Sequence, residues 1–245
     1  FVIERQFNYP VTPVRVDRLR TANLNRYQVL ILPVMNGVGY KAGLGKEGIE
    51  NIKTWVRQGG VLISLGNATR FLADPDVDIL AVRRERAVVE LEEIPDTDEG
   101  TVEGKYLSEL EAYDDQVVAL EGNPYNVSGV LVRADVHPEH WLSAGVAPEL
   151  NVLVRGSDIY TPIRINDGIN VARFQGPDDL LASGYLWEEN RKQLAYKPFV
   201  ISQSSGAGEI VAFTQDPTVR AYLDGLNVIL MNAIFRAPAH ARPSR

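Results

Sequence analysis

The stretch HPEH at positions 137–140 holds two of the three histidines in the chain. Helical zinc sites usually place two histidines four residues apart, with a glutamate next to the first. Here the spacing is three, and the proline between them indicates a turn or a first helical turn. A third metal ligand would have to be Glu139 or Asp135. We interpret the stretch as a capped turn before Trp141, with a metal site as the alternative.

Nucleophilic chemistry has few candidates. The chain has no cysteine, which excludes thiolate nucleophiles, thiolate zinc sites and disulfides. Ser64 lies inside a predicted strand rather than in the turn after it, and Ser204-Ser205-Gly206 has the composition of a turn. Neither place has a histidine beside it in the sequence, so a Ser-His-acid triad is not indicated.

Anion binding is the chemistry that the loops after the predicted strands favour. A glycine-rich loop follows one strand at positions 36–45, but it matches neither the dinucleotide nor the P-loop pattern. A turn that opens a helix follows the next strand, and its Asn67 is a natural N-cap. Because parallel α/β sheets bind ligands at the carboxyl ends of their strands, the predicted ligand-binding residues are Asn36, Asn67, Arg70, Asp216 and Arg220.

The stretch 184–199 is dense in aromatic and charged residues. Tyr185, Trp187 and Tyr196 could form a recognition surface. Alternatively, the acidic and basic residues of 188–192 have helical spacing, which predicts a helix with ion pairs along one face.

The elements that position these residues alternate between strand and helix. RYQVLILP and VLISL have the pattern of buried parallel strands, and residues 46–58 form an amphipathic helix that ends at Gly59. PVTPVRVDRL is also predicted to be a strand. This order predicts an α/β fold with a doubly wound, mostly parallel sheet of the flavodoxin-like or glutamine amidotransferase-like type.

The predicted α/β domain comprises residues 1–80 and 205–237, with a mainly antiparallel β insertion at 81–204 and a frayed tail at 238–245. Within the insertion, residues 90–115 contain eleven acidic residues and one basic residue, which predicts a solvated loop or an exposed edge. The insertion could also form a dimer or interdomain surface.

The overall composition argues against several partners. The net charge of -7 disfavours nucleic acid and anionic membranes. No apolar run is long enough to span a membrane, and no signal peptide is present in the sequence. Since the chain begins with phenylalanine, we expect it to be a fragment of a longer polypeptide.

Three stretches together resemble the class I glutamine amidotransferase-like fold: RYQVLILPVMNGVG, TWVRQGG and VLISLGNATRFLA. In that superfamily the turn after the strand is the nucleophile elbow and carries a cysteine between glycines. The matching positions here are Leu65, Gly66 and Asn67. No histidine lies near the last predicted strand, GEIVAFTQDP. The resemblance therefore implies a degenerate member without the catalytic residues.

A longer resemblance covers nearly the whole chain. HPEHWLSAGVAPELNVLVRGSDIY, VARFQGPDDLLASGYLWEENRKQLAYKPFV and the stretch from GEIVAF to about His240 look like the C-terminal region of bacterial zinc carboxypeptidases of the carboxypeptidase A-like family. The family's zinc motif, His-x-x-Glu with a later histidine, is absent here. The resemblance implies that zinc lies in an upstream peptidase domain, that this domain is the partner, and that the parent protein is extracellular or periplasmic.

These observations predict a non-catalytic accessory domain of a secreted zinc metallocarboxypeptidase-like protein, which recognises substrate, mediates assembly or stabilises the peptidase. The chain itself is expected to hold no cofactor, and a homo-oligomer is a further expected partner. The alternative is a stand-alone hydrolase or a small-ligand-binding domain that uses the crevice at the strand carboxyl ends.

Overall fold

One mixed β-sheet organises the chain in the computed structural model, which describes residues 1–35, 39–87, 124 and 126–241. The sheet has eight strands in the order β1-β2-β8-β7-β5-β3-β4, and β6 pairs with β3 beside β5. The strands are β1 (Val29–Leu32), β2 (Val61–Leu65), β3 (Val127–Val136), β4 (Glu149–Gly156), β5 (Ile169–Phe174), β6 (Leu181–Ser183), β7 (Pro198–Ser205) and β8 (Gly208–Phe213).

The described residues also form five α-helices, and short 3₁₀ turns connect several elements. The helices are α1 (Gly39–Arg57), α2 (Ala68–Ala73), α3 (Glu188–Leu194), α4 (Asp224–Phe235) and α5 (Ala237–His240). Helix α1 contains a kink at Gly45, whose φ of 61° is left-handed. A π-helical turn spans Val2–Gln6. None of the helices in the described ranges has the length and apolar character needed to cross a membrane.

The predicted doubly wound, mostly parallel sheet is wrong. Among the strands that the structure describes, only β1, β2 and β8 are parallel neighbours. Strand β8 pairs antiparallel with β7, and β7, β5, β3 and β4 continue antiparallel across the same sheet. The reason is the two-residue turn between Ser205 and Gly208, because so short a connection can join only antiparallel strands. The strands of the predicted insertion thus extend the first sheet rather than forming a second one.

Both faces of the sheet are covered. One apolar cluster lies between the sheet and α4, and it includes Phe199, Phe213 and Ile229. The other lies under α1 and α2, and it includes Ile52, Leu62 and Leu72. Strand β2 is buried along its whole length because it contributes side chains to both clusters. This double burial explains the continuous apolar run VLISL.

Two local predictions also differ from the structure. The segment PVTPVRVDRL is not a strand: residues 10–15 have no regular structure, and Val16–Arg20 form a 3₁₀ helix. Pro10 and Pro13 lack the backbone N–H that a strand would need for pairing. The start of the predicted tail is helical, since α5 includes its first three residues. Within the predicted insertion, the acidic stretch 90–115 and the apolar segment VVAL at 117–120 lie outside the described residues.

Candidate functional site

The turn after β2 has the geometry of an elbow but no reactive side chain. Gly66 has a left-handed φ of 54°, a conformation that glycine adopts without strain. A Cβ atom at this position would lie 3.0 Å from Val34 Cγ2 and 3.4 Å from the backbone nitrogen of Asp216. The space into which an elbow nucleophile would project is therefore narrow here.

Asn67 is the N-cap residue of α2, as predicted, but its side chain joins two loops. Its Oδ1 accepts a hydrogen bond from the Met35 N–H at 3.0 Å, and its Nδ2 donates to the Met35 carbonyl at 2.9 Å. The side chain forms no cap bond with the first turn of α2. Because the amide is used on both sides, it is not available to a ligand without breaking these bonds.

The buried hydroxyl groups below the turn have a structural role. Ser64 and Thr69 are fully buried, and their hydroxyl oxygens lie 2.9 Å apart. Thr69 also donates to the carbonyl of Phe213 at 2.9 Å. This network ties α2 to β2 and β8, and it gives Ser64 no access to a substrate.

The structure brings Asp216 to the same crevice, since its backbone borders Gly66. Its Oδ1 accepts from the backbone N–H and the hydroxyl of Thr218, at 2.8 and 2.7 Å. Arg220 is exposed, with a left-handed φ of 52°. Asn36 lies outside the described residues. The five predicted ligand-binding residues thus converge only in part, around Gly66.

Arg70 belongs to a charge cluster that sequence reasoning missed. Its Nε lies 2.5 and 2.6 Å from the two carboxylate oxygens of Asp158, which is almost fully buried. Arg84 Nε lies 2.8 Å from the same carboxylate, as an ion pair without aligned hydrogen-bond geometry. The Arg70 side chain remains 47% exposed. Because Asp158 is 88 residues from Arg70, no local pattern could have predicted the pair.

Two of the histidines, His140 and His240, contact the Trp141 ring, and His137 neighbours His140. His240 stacks on the Trp141 ring with centroids 4.4 Å apart, and the rings of His137 and His140 are 6.5 Å apart. Burial lowers the pKa of His140 to about 4, and the neighbouring His137 and His240 add to this effect.

These histidines do not fit a zinc site. The Nδ1 atoms of His137 and His140 accept backbone N–H groups of Glu139 and Leu142. Nowhere in the described ranges do three histidine, cysteine or acidic residues come together as a metal site. The predicted capped turn is confirmed, since His140 caps the 3₁₀ helix Trp141–Ser143.

The stretch 184–199 contains both features that the sequence suggested. Helix α3 carries an ion pair between Lys192 and Glu188 at 3.0 Å. Tyr185 and Trp187, which precede it, contact each other edge to face and are 70% and 55% exposed. Tyr196, which follows it, is 58% exposed.

An open groove with a volume of about 600 Å³ lies on the antiparallel half of the sheet. We call it the β3–β4 groove. Sequence reasoning missed it, although Arg133 and Asp135 alternate along β3 on one face and Glu149 directly opposes Asp135 on β4. Its lining residues are Arg133, Asp135, Glu149, Gln175, Gly176, Asp179 and Tyr196.

Comparisons with known proteins identify a fold but no family. No protein-family model matches the chain, and no curated protein matches it. Two similar solved structures are a cytoplasmic protein from Salmonella typhimurium and a putative ThuA-like protein from Parabacteroides merdae. Each is 13% identical with a TM-score of 0.53; the alignments cover 96% and 100% of this chain and 84% of each of those chains.

A β-galactosidase from Bacillus circulans sp. alkalophilus also matches, at 14% identity and a TM-score of 0.48. The alignment covers 91% of this chain but only 24% of the β-galactosidase, so the present chain spans about a quarter of that protein. At such low identity, the similarity to the two structures with a TM-score of 0.53 concerns the fold alone. The similarity to the β-galactosidase supports no conclusion.

Proposed function

We propose that this chain is a non-catalytic accessory domain of a secreted zinc metallocarboxypeptidase-like protein, and that it docks onto the peptidase domain of the same polypeptide. The parent's identity and its export follow from the sequence resemblance. Zinc would belong to the peptidase domain. The docking role follows from the surface of the present domain.

The elbow supports the non-catalytic part of the proposal. In the sequence resemblance to glutamine amidotransferase-like enzymes, the position of the nucleophile corresponds to Gly66. Asn67 and Asp216, on either side, are engaged by Met35 and Thr218. A hydrolytic mechanism at this turn would need a nucleophile and a base within hydrogen-bond reach of each other, and these residues include no hydroxyl or thiol nucleophile.

One surface carries the docking part of the proposal. Phe1, Phe7, Tyr9 and Phe235 are 82%, 41%, 47% and 49% exposed, and we call them the N-terminal aromatic surface. The rings of Tyr9 and Phe235 pack edge to face at 4.9 Å, which joins the N-terminal segment to the end of α4. Exposed apolar clusters of this kind are characteristic of protein–protein contacts, where aromatic residues supply much of the affinity.

The coding sequence upstream of Phe1 tests the parent's identity. We expect an export signal, then His-x-x-Glu and a later histidine in a peptidase domain. A start codon directly before Phe1 would refute the peptidase context. In that case any docking surface would have to serve a separate partner.

Affinity for the separately produced peptidase domain tests the docking. Tyr9→Ala and Phe235→Ala should each weaken binding about tenfold or more, because a central aromatic residue contributes roughly 1–4 kcal/mol to an interface. Tyr222→Ala is the matched control, since Tyr222 is 50% exposed but lies before the start of α4. Equal effects of all three substitutions would argue against this surface as the docking site.

A second candidate function is ligand binding in the crevice at the strand carboxyl ends. It is favoured by the exposed part of the Arg70 guanidinium, which lies on α2 directly after the elbow turn. Titration with inorganic phosphate, followed by NMR, should then shift resonances of Arg70 and its neighbours. Arg70→Gln should abolish the shifts, whereas shifts that persist in this variant would exclude Arg70 from the site.

A further inference from the structure

We propose that the β3–β4 groove binds a ligand with a guanidinium or ammonium group, such as the side chain of an arginine or lysine residue in a peptide. This inference does not depend on the identity of the parent protein. It rests on the size of the groove, the state of its charged groups and the aromatic ring on its wall.

The groove is open to solvent but large enough to hold a small ligand. Its volume of about 600 Å³ lies within the range of roughly 300–1,000 Å³ that is typical of small-molecule pockets. Its walls come from separate parts of the chain: Arg133 and Asp135 from β3, Glu149 from β4, Gln175 from the loop after β5, and Tyr196 from the segment after α3.

The one cation in the lining is already engaged. Arg133 donates from Nη1 to the carbonyl oxygens of Asp179 and Leu181, at 2.8 and 2.9 Å. Its Nε lies 3.7 Å from Glu149 Oε1. The Asp179 carboxylate forms no hydrogen bond or ion pair with any residue that the structure describes. The lining thus carries three carboxylates and one guanidinium, and a cationic ligand would complement this excess of negative charge.

Two of the carboxylates form an unfavourable pair. Asp135 on β3 and Glu149 on β4 are directly opposite each other in the sheet, an arrangement of like charges that destabilises strand pairing. The Gln175 Nε2 atom donates to both, at 2.8 and 2.9 Å, but it is neutral. Arg173 opposes Asp135 on β5, yet no ion pair joins them and Arg173 does not line the groove. A cation bound beside these carboxylates would offset their repulsion.

Tyr196 supplies an aromatic wall beside the carboxylates. Its backbone is left-handed, with a φ of 62°, which is costly for a tyrosine. A Cβ atom on Gly176 would lie 2.5 Å from the Tyr196 hydroxyl, so the glycine leaves room for the side chain in this position. Guanidinium and ammonium groups bind favourably to aromatic faces. A metal ion is a poorer match, because the described ranges contain no cluster of three metal-ligating side chains.

Calorimetric titration of the chain with acetyl-arginine amide at low ionic strength tests the inference, with acetyl-citrulline amide as the neutral isostere. We expect the arginine compound to bind about tenfold more tightly, because only its side chain carries the charge. Equal affinities, or no detectable binding of the arginine compound, would overturn the proposal. A peptide with a central arginine then separates the two sources of the cation: tighter binding of the peptide indicates a protein partner, and equal binding a small molecule.

Two variants locate the binding. Asp179→Asn should lower the affinity for the arginine compound about three- to fivefold. Asp178→Asn should leave it unchanged, because Asp178 is an exposed neighbour outside the groove. Tyr196→Gly should lower the same affinity about two- to fivefold. This variant should still fold, because glycine suits the left-handed backbone at this position. Unchanged affinity in both Asp179→Asn and Tyr196→Gly would place the binding elsewhere.

Discussion

Replacement of Gly66 by alanine tests whether the elbow has room for a side chain. Two costs arise. A left-handed φ of 54° costs an alanine about 1–2 kcal/mol. The new Cβ would also lie 3.0 Å from Val34 Cγ2 and 3.6 Å from Asp216 Cβ, and crowding in a packed site costs about 1–3 kcal/mol. The lower entropy of the unfolded alanine chain offsets about 0.4–1 kcal/mol. The expected net loss of unfolding free energy is about 1–5 kcal/mol, with a midpoint of ~3 kcal/mol.

Gly145→Ala provides the matched control. Gly145 also has a left-handed φ, of 75°, but a Cβ atom at this position would have no other atom within 4 Å. Strain alone should therefore destabilise this variant by about 1 kcal/mol. Urea unfolding measures both free energies, and the urea dependence of the free energy should be unchanged. Equal losses for the two variants would show that Val34 and Asp216 do not restrict the elbow, and the argument for a closed elbow would fail.

Three further predictions concern contacts around the crevice and the histidines. Asn67→Ala should lower the unfolding free energy by about 1–3 kcal/mol, because both backbone groups of Met35 lose their partner; an unchanged urea midpoint would contradict this. Asp158→Asn should lower the unfolding free energy by about 1–3 kcal/mol, because Arg70 loses its charged partner but remains partly hydrated. High salt should reduce this loss of stability. Because the pKa of His140 falls from 6.5 to about 4 on folding, the unfolded chain binds more protons in this window, so stability should be complete above about pH 6.5 and decrease towards pH 4. The shift corresponds to at most about 3 kcal/mol, and about 1–2 kcal/mol after allowance for the partial exposure of the ring; His140→Gln should lack this part of the pH dependence in urea titrations.

The elements that the sequence predicts well are those whose burial leaves a local pattern. The apolar run of β2, the amphipathic face of α1 and the apolar α4 each identify their element without knowledge of its neighbours. The order of strands in the sheet has no such pattern. A buried strand has the same apolar residues whether its neighbour is parallel or antiparallel. The short turn after Ser205 requires β7 and β8 to be antiparallel, but the predicted fold did not take it into account.

The candidate sites were less predictable because their contacts are distant in sequence. Asn67 has the residue type of an N-cap, but its partner, Met35, is 32 residues away. Arg70 was predicted to bind a ligand, and its nearest anion is Asp158, which no local signal connects to it. The like-charged pair in the β3–β4 groove depends on the register of β3 and β4. Register is a property of the assembled sheet, so composition alone could not predict it.

The docking of this domain onto the peptidase domain is the central claim, and hydroxyl-radical footprinting of the full polypeptide tests it most directly. The oxidation rates of Phe7, Tyr9 and Phe235 should be much lower in the full polypeptide than in the isolated chain, because the partner domain covers these side chains. Tyr185 and Tyr222, which are 70% and 50% exposed and do not belong to the N-terminal aromatic surface, should react at the same rate in both. Equal rates for Phe7, Tyr9 and Phe235 in the two samples would contradict the proposed docking surface.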